Sequence, residues 1–353
     1  MQPLPKELAP RLIAWYAENR RALPWRQDRE PYHVWLSEIM LQQTRVEAVK
    51  GYYARFLTEL PDIAALAQCP PDRLTKLWEG LGYYSRVRNL QKAAQTIAAE
   101  HGGRFPEDYD AIRALPGIGD YTAGAIASIC FELPTPAVDG NVLRVLSRVQ
   151  ADDAPVTKQS VKRAYADALR PVYEENSGLR GTLTQALMEL GACICAPNGA
   201  PGCEDCPLAA LCAARRDGTW AKFPVKEAKK ARKIEEKTVF FLDCGGKFAV
   251  RRRPQSGLLA GLWELPNVEG LLDAPAALDA LQAQGFAPAE VRKSAERTHI
   301  FTHVEWRMRC YYVQVLTCGG EALWVDAARF SRDISLPTAF RMFWEAPPGG
   351  GSD

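Results

Sequence analysis

The sequence predicts two domains, an all-α domain followed by a smaller α+β domain, on three observations. Apolar residues recur every three or four positions through most of residues 5–215, which is typical of amphipathic helices. A lysine- and arginine-rich stretch interrupts the pattern at 221–237. Beyond residue 238 apolar and polar residues alternate, as they do in β-strands. A chain of 353 residues is long enough for two separate hydrophobic cores.

Composition and charge narrow the class of protein. The formal net charge is +2 and hydrophobic residues make up 47%, so the composition is globular and the total charge does not indicate a nucleic-acid partner. The first ten residues have no apolar core of a secretory signal, and no apolar run is long enough to span a bilayer. We therefore expect a soluble intracellular protein that does not bind membranes.

The helical domain is assigned to residues 1–220, with a basic linker at 221–237. About ten short helices are expected there, because segments such as "ELPD", "CPPD" and "FELPTPAVDG" carry helix-ending proline and glycine. The second domain is assigned to 238–345. It contains two strands around a Gly-Gly turn ("TVFFLDCGGKFAVRRR"), a strand in "GLWELPN", a helix ending at Gly285 and a strand in "VEWRMRCYYVQVL". A disordered tail is expected at 346–353.

Glu38 lies in "PYHVWLSEIMLQQTRV" (31–46), which reads as a helix with apolar residues on most sides. A carboxylate in that setting loses solvation, which raises its pKa and suits it to act as a general acid near neutral pH. The alternative is a glutamate at the edge of the apolar face with its charge in water. The polar residues at the end of this helix could reach into a nucleic acid; they are Gln42, Gln43 and Thr44.

The segment "ALPGIGDYTAGAIASI" (114–129) contains a tight turn that opens directly into a helix. Gly117 and Gly119 permit positive φ and close approach of another backbone, and the N–H groups at a helix start can hold a phosphate. A plain connection between two helices is the alternative. Asp120 is expected to cap the helix. A Rossmann site is not indicated, because no strand precedes the turn and the glycine spacing differs.

Asp139 precedes the amphipathic helix in "AVDGNVLRVLSRV" (137–149). Aspartate is a favoured N-cap, so a purely structural role would explain it. The other interpretation is that the carboxylate takes part in chemistry. The two are compatible, because the backbone N–H bonds of a cap would keep the carboxylate ionised and fixed.

The segment "GLGYYSRVRNL" (80–90) interleaves two tyrosines with Arg86 and Arg88. An aromatic residue beside an arginine is typical of base stacking combined with phosphate contact. On this pattern the segment is a second candidate for contact with a nucleic acid.

Five of the ten cysteines fall within residues 193–212. The spacing Cys195-x7-Cys203-x2-Cys206-x5-Cys212 suits one metal centre, either zinc or an iron–sulfur cluster. A single C-x2-C pair with two outlying cysteines favours the cluster, since structural zinc usually takes two such pairs. Cys193 is interpreted as a packing residue, and without a secretory signal a disulfide framework is not indicated.

Together these segments resemble the helix-hairpin-helix DNA glycosylases that carry a 4Fe–4S cluster, and within them the adenine DNA glycosylases of the MutY type. The resemblance covers most of residues 10–215 through "LPWR", "VWLSEIMLQQTRV", "WEGLGYYSRVRNL", "LPGIGDYTAGAI", "PAVDGNVLRVLSR" and "LGACIC". The second domain resembles the Nudix-like domain that reads 8-oxoguanine in that family, through "GLLAGLWELP" and "FTHVEW".

The resemblance implies a monofunctional base-excision-repair enzyme that hydrolyses the N-glycosidic bond of adenine opposite 8-oxoguanine or guanine. Glu38 would protonate adenine at N7, and Asp139 would stabilise the oxocarbenium sugar. Asn141 and Tyr121 would help to orient that site. The enzyme would act as a monomer on double-stranded DNA, in the cytoplasm at a bacterial nucleoid.

The resemblance also implies the remaining contacts. The hairpin 115–119 would hold a DNA phosphate, with a monovalent cation or calcium bound there. Gln43 and Tyr83 would wedge into the duplex, while 301–303 would read 8-oxoguanine. The expected DNA-binding residues are Arg26, Gln42, Gln43, Thr44, Tyr83, Arg86, Arg88, Leu115, Gly117, Gly119, Phe301, Thr302 and His303. The expected ligands of the 4Fe–4S cluster are Cys195, Cys203, Cys206 and Cys212.

The sequence departs from the family pattern in two places. Seven residues separate Cys195 from Cys203 where six are usual, and this loop has no lysine or arginine, so it is not expected to contact a phosphate. Thr302 replaces the commoner serine, which keeps the hydroxyl and adds a methyl group.

Three other functions fit the sequence less well. A glycosylase with lyase activity resembling endonuclease III needs a lysine two residues after the hairpin, where Tyr121 stands. A non-catalytic DNA-binding module would not need both Glu38 and Asp139. A Nudix hydrolase would need an acidic R-E-x-x-E-E motif, which "LLDAPAALDALQAQGF" does not contain. The second domain is therefore expected to bind without hydrolysing.

Overall fold

The computed structural model describes residues 3–228 and 231–344, which form two compact units. The first unit comprises the described residues up to Cys69 together with Arg88–Ala228. The second comprises Pro70–Val87 together with the described residues from 231 onward. The second unit therefore includes a segment that the sequence places in the helical domain. The predicted tail, 346–353, lies outside the described residues.

Helices build the first unit, and none of the described helices is both long and apolar enough to cross a membrane. Short 3-10 turns lie at Pro24–Arg26 and between Cys203 and Lys222. Numbered along the chain, and with α5 belonging to the second unit, the helices are α1 (Leu8–Asn19), α2 (Pro31–Leu41), α3 (Val46–Glu59), α4 (Ile63–Gln68), α5 (Pro71–Leu77), α6 (Ser85–Glu100), α7 (Tyr109–Ala114), α8 (Asp120–Phe131), α9 (Gly140–Gln150), α10 (Gln159–Glu175), α11 (Arg180–Cys193) and α12 (Ala213–Arg216).

α2 is buried on nearly every side. It begins with Pro31 at its first position, where the missing N–H costs no hydrogen bond. Its residues from Val34 to Met40 are buried, and the helix packs against α3 and α8. A helix that is apolar all round belongs in a protein core. The side chain of Glu38 therefore lies in surroundings that exclude water.

α11 is central to the other half of the unit. It packs against α1, α8 and α9, and the fully buried Leu183, Leu187 and Leu190 join Leu12 of α1 and Leu146 of α9 in one core. Small residues allow these helices to approach closely. A Cβ on Gly181 would lie 2.9 Å from the Cα of Ile129 in α8.

The second unit is a mixed sheet with helices on both faces. β1 pairs in parallel with β6 and antiparallel with β2, and β5 is antiparallel to β6 at the edge. The described strands are β1 (Lys233–Cys244), β2 (Lys247–Arg252), β3 (Trp263–Glu264), β4 (Asn267–Glu269), β5 (Pro288–Ile300), β6 (Val304–Val315) and β7 (Leu323–Asp326). The helices are α13 (Ala274–Ala283), α14 (Ala327–Asp333) and α15 (Thr338–Arg341).

Alternate residues of β1 enter two cores. Phe241 packs on one face with Phe330 of α14 and Phe340 of α15. Phe240 packs on the other face with Leu281 of α13. Side chains of a strand alternate between faces, so a strand covered on both sides is apolar at almost every position.

The connection between the domains differs from the expected linker at 221–237. β1 already begins at Lys233. Before β1, the backbone N–H of Val156 donates to the carbonyl of Val225 at 3.0 Å, and Arg148 donates to the carbonyl of Phe223. Residues 223–225 are therefore bound to the first unit. The first four residues of β1 are charged or exposed, which explains why composition alone indicated a linker.

The sequence did not indicate the short β7, nor β5, which is the longest strand among the described residues. Most of its residues are exposed, so "PAEVRKSAERTHI" lacks regular alternation of apolar and polar residues. It is held by backbone pairing with β6 along nearly its whole length. The Gly-Gly turn between β1 and β2 is as predicted, with positive φ at Gly245 and Gly246.

Candidate active site

A cleft in the first unit, called the acidic cleft below, brings together α2, the start of α8, the start of α9 and one face of α11. The four residues expected to act on the glycosidic bond line this cleft, although they come from three separate segments. Four of the expected DNA contacts line it as well. The predicted residues in the cleft are Glu38, Tyr121, Asp139, Asn141, Arg26, Gln42, Gln43 and Thr44.

Glu38 is buried, with 8% of its surface exposed. The hydroxyl of Tyr121 donates a hydrogen bond to Oε2 of Glu38 at 2.5 Å. Burial raises the pKa of Glu38 to about 7, the charge of Asp139 acts in the same direction, and Tyr121 and Arg26 oppose it. The alternative of a glutamate at the helix edge in water is thus excluded, and much of Glu38 is protonated at neutral pH.

Asp139 is both the N-cap of α9 and a wall of the acidic cleft. Its Oδ1 accepts the backbone N–H groups of Asn141 and Val142 at 2.9 and 2.8 Å, and Oδ2 accepts from Nδ2 of Asn141 at 2.7 Å. Burial nevertheless raises the pKa of Asp139 above its usual range, against these three hydrogen bonds. The cap fixes the carboxylate as predicted, but the cost of desolvation exceeds the stabilisation that the cap gives to the ionised form.

Asn141 is positioned from the side away from Asp139. Nη2 of Arg144 donates to Oδ1 of Asn141 at 2.8 Å, and Nε of Arg144 donates to the carbonyl of Cys195 at 2.7 Å. α11 can pass this close only with glycine, because a Cβ on Gly191 would lie 2.6 Å from Cβ of Asn141. The amide that holds Asp139 is therefore tied to the cysteine segment.

Glu189 of α11 is a cleft residue that the sequence analysis missed. It bonds to Arg21 through Nη2 at 2.7 Å and to Arg26 through Nη2 at 2.8 Å. Burial alone would raise its pKa, but the hydrogen bonds from Arg21 and Arg26 hold the pKa at about 2. Glu189 is thus ionised and fixes Arg26 in the cleft. One charged residue in the otherwise uncharged "TLTQALMELGAC" is the signal that could have revealed it.

The hairpin at 115–119 has the expected tight turn. Gly117 has φ 78°, and a Cβ there would lie 2.5 Å from Cβ of Asn89, so the turn needs glycine. Gly119, not Asp120, is the N-cap of α8, because the side chain of Asp120 pairs with Arg113 instead. No side chain among the described residues caps α8. The start of α8 and the two hairpin glycines, Gly117 and Gly119, line a second cleft.

Leu115, the remaining hairpin residue that was expected to bind DNA, is 3% exposed. Its carbonyl already accepts from the backbone N–H of Ile118 at 3.1 Å. Any contact of Leu115 with a ligand would therefore come from its backbone.

The residues of 80–90 have different surroundings. Tyr83 is 46% exposed, has φ 47°, and places its hydroxyl 3.2 Å from Oγ1 of Thr302 within the second unit. Arg86 is buried and donates to the carbonyls of Leu81 and Gly82. The expectation that Arg86 contacts a phosphate is therefore wrong for this structure, because its guanidinium is buried and donates to the two carbonyls that precede Tyr83. Arg88 is half-buried on α6.

The segment 301–303, called the reading loop below, joins β5 to β6. The backbone N–H of Phe301 bonds to the carbonyl of Val304 at 2.8 Å, and the ring of Phe301 packs edge-on against Trp306. Thr302 and His303 are exposed. Phe301 thus anchors the loop, and the other two side chains are accessible to a ligand.

The four predicted cluster ligands line one cavity, next to Arg148. Among the residues that the structure describes, no three Cys, His, Asp or Glu side chains are close enough to hold a single metal ion. Four sulfurs on one zinc ion would lie about 3.8 Å apart. Thiols spread around a cavity suit a larger polynuclear cluster better. Cys193 does not line this cavity and is exposed, so it is not the packing residue that was expected.

Two family models match the chain, in the order that the sequence predicts. Residues 36–171 match the HhH-GPD superfamily base excision DNA repair protein. Residues 238–346 match a NUDIX domain. The predicted helix-hairpin-helix glycosylase domain followed by a Nudix-like domain is confirmed.

Curated relatives match nearly the whole chain. Human adenine DNA glycosylase is 33% identical and covers 96% of this chain, with 74% of its own length matched. The mouse adenine DNA glycosylase is 35% identical over 94% of this chain and 77% of its own length. Among solved structures, a thermostable thymine-DNA glycosylase is 26% identical with a TM-score of 0.53, covering 60% of this chain and 96% of that one. The chain therefore belongs to the adenine DNA glycosylase family of base-excision-repair enzymes.

Proposed function

We propose that this enzyme removes adenine mispaired with 8-oxoguanine, and also adenine opposite guanine, by hydrolysis of the N-glycosidic bond. The observation that carries the proposal is the pair of carboxylates in the acidic cleft, one buried with a pKa of about 7 and one immobilised by three hydrogen bonds. Adenine is a poor leaving group until it is protonated, and its departure leaves positive charge on the sugar. The pair meets both needs.

Glu38 supplies the acid. Because the hydroxyl of Tyr121 donates to Oε2, the other oxygen of Glu38 carries the proton that is delivered to N7 of adenine. Glu189 and Arg26 lie on the same cleft and would orient the base. A flipped-out adenine would enter the cleft at a cost of about a few kcal/mol for unstacking.

Asp139 supplies the opposing charge. Its three hydrogen bonds stabilise the ionised form, whereas Glu38 accepts one from Tyr121. When the two compete for one proton, it therefore resides on Glu38. This division of roles parallels glycoside hydrolysis, where one carboxyl group is the acid and the other faces the sugar cation.

The enzyme is proposed to lack strong lyase activity. A lyase forms a Schiff base between the sugar and an amine. Among the described residues that line the acidic cleft there is no lysine, and Tyr121 stands where the lyases of this superfamily carry one. Water is therefore the nucleophile that completes the reaction.

DNA recognition is divided between the two units in this proposal. In the first, Gln42, Gln43 and Thr44 approach the duplex beside the cleft, and the hairpin 115–119 holds a phosphate, with a monovalent cation or calcium at its carbonyls. In the second, Tyr83 stacks on a base, and the reading loop contacts 8-oxoguanine through Thr302 and His303. The exposure of Gln43, Tyr83, Thr302 and His303 supports the assignment, and Gln42 and Thr44 are half-buried beside the cleft. We expect the enzyme to act as a monomer.

A 4Fe–4S cluster is the group that best fits the four-thiol cavity. The cluster would be held by Cys195, Cys203, Cys206 and Cys212. When bound, it would join Cys195, which follows α11, to residues 203–212. Nη1 of Arg148 donates to Sγ of Cys195 at 3.3 Å, so this cavity already holds one of the four sulfurs in place. Iron and sulfide analysis of the purified protein tests the assignment, and stoichiometric zinc would refute it.

The decisive experiment is a single-turnover glycosylase assay on matched duplexes containing adenine opposite 8-oxoguanine, guanine or thymine. We expect excision to be fastest opposite 8-oxoguanine, slower opposite guanine and negligible opposite thymine. Equal rates on all three duplexes would contradict the proposed specificity. Absence of excision from all three would contradict the proposed reaction.

A further inference from the structure

Residues 70–87 are joined to the second unit by contacts that centre on Glu79. This segment comprises α5 and a loop, residues 78–84, called the tyrosine loop below. It lies within the match to the glycosylase family model, yet it groups with the Nudix-like unit. The side chain of Glu79 is only 11% exposed, so its charge must be matched by partners that face it.

These partners belong to α5 and to residues 334–341. Oε1 of Glu79 accepts the backbone N–H of Leu336 at 3.0 Å. Oε2 lies 2.8 Å from Nζ of Lys76 on α5 and 3.6 Å from Nη1 of Arg341 on α15. Nζ of Lys76 also donates to the carbonyl of Ile334 at 3.0 Å. One carboxylate thus joins the end of α5 to residues 334–341.

Two further contacts join α5 to the rest of the second unit. Oγ of Ser335, which is buried, donates to the carbonyl of Thr75 at 3.2 Å. At the start of α5, Asp72 pairs with Arg252 of β2. These contacts hold α5 at both ends, so the backbone that leads into Glu79 is fixed in position.

The tyrosine loop is short and internally braced. Gly80 and Gly82 have φ 99° and 68°, and Tyr83 itself has φ 47°, a left-handed conformation that costs free energy for a residue with a side chain. Nε1 of Trp78 donates to the carbonyl of Gly82 at 3.1 Å, and Arg86 holds the same carbonyl from below. Because the loop is short and held by these hydrogen bonds, a shift of the backbone at Glu79 would also shift Tyr83.

Tyr83 then meets the reading loop. Its hydroxyl and Oγ1 of Thr302 are 3.2 Å apart, and either can donate. Both side chains are exposed, so this hydrogen bond forms in water and contributes little free energy by itself. Its geometry therefore depends on how firmly the two backbones are held.

We propose that Glu79 is a positioning residue that sets Tyr83 against Thr302, so that the tyrosine loop and the reading loop engage the base opposite adenine as one rigid surface. This inference rests on the proposed function of the reading loop. It assigns to Glu79, which belongs to the second unit and does not line the acidic cleft, control over the preference for 8-oxoguanine and not over the excision step.

The test uses the full-length enzyme with Glu79→Ala, Glu79→Gln and, as a matched control, Glu47→Ala, which removes an exposed glutamate paired with Lys50. Single-turnover excision constants are measured opposite 8-oxoguanine and opposite guanine at saturating enzyme. We expect Glu79→Ala to lower the ratio of the two constants on the order of fivefold, with the constant opposite guanine unchanged. Glu79→Gln keeps an acceptor for Leu336 but loses both ion pairs, so it should give an intermediate ratio.

A double-mutant cycle with Tyr83→Phe identifies the route. If Glu79 acts through the hydroxyl of Tyr83, then Tyr83→Phe lowers the ratio and adding Glu79→Ala lowers it no further. Additive effects would overturn the inference. So would an equal loss of both excision constants, or of thermal stability with the ratio intact, since a merely structural role predicts those results.

Failure of the proposed function gives a different result. A wild-type enzyme without preference for 8-oxoguanine would overturn the proposed specificity and this inference together. A wild-type preference that Glu79→Ala retains in full would overturn this inference alone.

Discussion

The acidic cleft holds its carboxylates among helices, whereas the reading loop exposes its hydroxyl and imidazole at a strand connection. In the cleft, Glu38 is 8% exposed and its pKa is raised to about 7 by desolvation. In the reading loop, Phe301 is anchored by its contact with Trp306, while the side chains of Thr302 and His303 are exposed. Chemistry on a glycosidic bond needs an environment prepared in advance, while recognition of a base needs groups that DNA can reach.

The comparison predicts that changes in the acidic cleft alter the excision rate by orders of magnitude, and that changes in the reading loop alter only selectivity. Burial makes each cleft interaction strong, because water does not compete for it. Exposure makes each interaction of the reading loop weak until DNA covers it.

Glu38→Gln should produce the largest effect. Glutamine fits the site and can accept from Tyr121, but it cannot deliver a proton, so we expect the single-turnover rate to fall on the order of a thousandfold. Glu47→Gln, at an exposed position, serves as the control. Near-normal excision by Glu38→Gln would remove the acid assignment.

Asp139→Asn should lower the rate on the order of a hundredfold while the fold is retained. Asparagine caps a helix nearly as well as aspartate, but its neutral amide does not stabilise a sugar cation. Asp62→Asn is the matched control, because Asp62 caps α4 through the backbone N–H of Ala65. Both variants should stay folded, and thermal unfolding should show no larger loss of stability for Asp139→Asn, because this substitution also removes a desolvated charge. If their excision rates also match, Asp139 is only a cap.

Glu38→Gln should also stabilise the helical unit at alkaline pH. The folded pKa of Glu38 is raised above its usual 4.5 to about 7, so the folded state loses stability as pH rises between those values. Removing the ionisable group should raise the free energy of unfolding by about 3 kcal/mol at pH 8, and by much less at pH 5. Urea unfolding at both pH values measures the difference; an equal effect at each would contradict it.

The excision rate of the wild-type enzyme should decline as pH rises through about 7, the pKa of Glu38. Only the protonated acid is active, so well above this pKa each further pH unit should cost about tenfold in rate. Single-turnover rates from pH 6 to 9 at saturating enzyme, with DNA binding measured in parallel, would check this. A profile that stays flat to pH 9 would place the proton donor elsewhere.

The smallest effect on rate is expected from Thr302→Ala combined with His303→Ala. Loss of exposed hydrogen-bonding groups should reduce the preference for 8-oxoguanine over guanine on the order of tenfold, with excision opposite guanine unchanged. Ser256→Ala combined with His101→Ala removes a similar pair of groups outside the reading loop. Unchanged discrimination in the Thr302 and His303 variant would remove the role of both side chains.

Local signals in the sequence were sufficient for several features. The cap at Asp139, the glycine turn at 115–119 and the grouping of the four cysteines each follow from short-range chemistry. β5 was missed because its exposed residues have no regular pattern, and it is held by pairing with β6. Asp120 was mistaken for a cap because the competing partner, Arg113, lies in the preceding helix.

What the sequence by itself determined is the set of chemical groups and the local elements that carry them: an acid on an apolar helix, a capped aspartate, a glycine hairpin and four clustered thiols. Only the tertiary structure decided their states. Tyr121 reaches Glu38 across 83 residues of chain, and Arg21 neutralises Glu189 across 168. A pKa, an ion pair or the buried state of Arg86 depends on desolvation and on partners from remote segments, which no local pattern encodes.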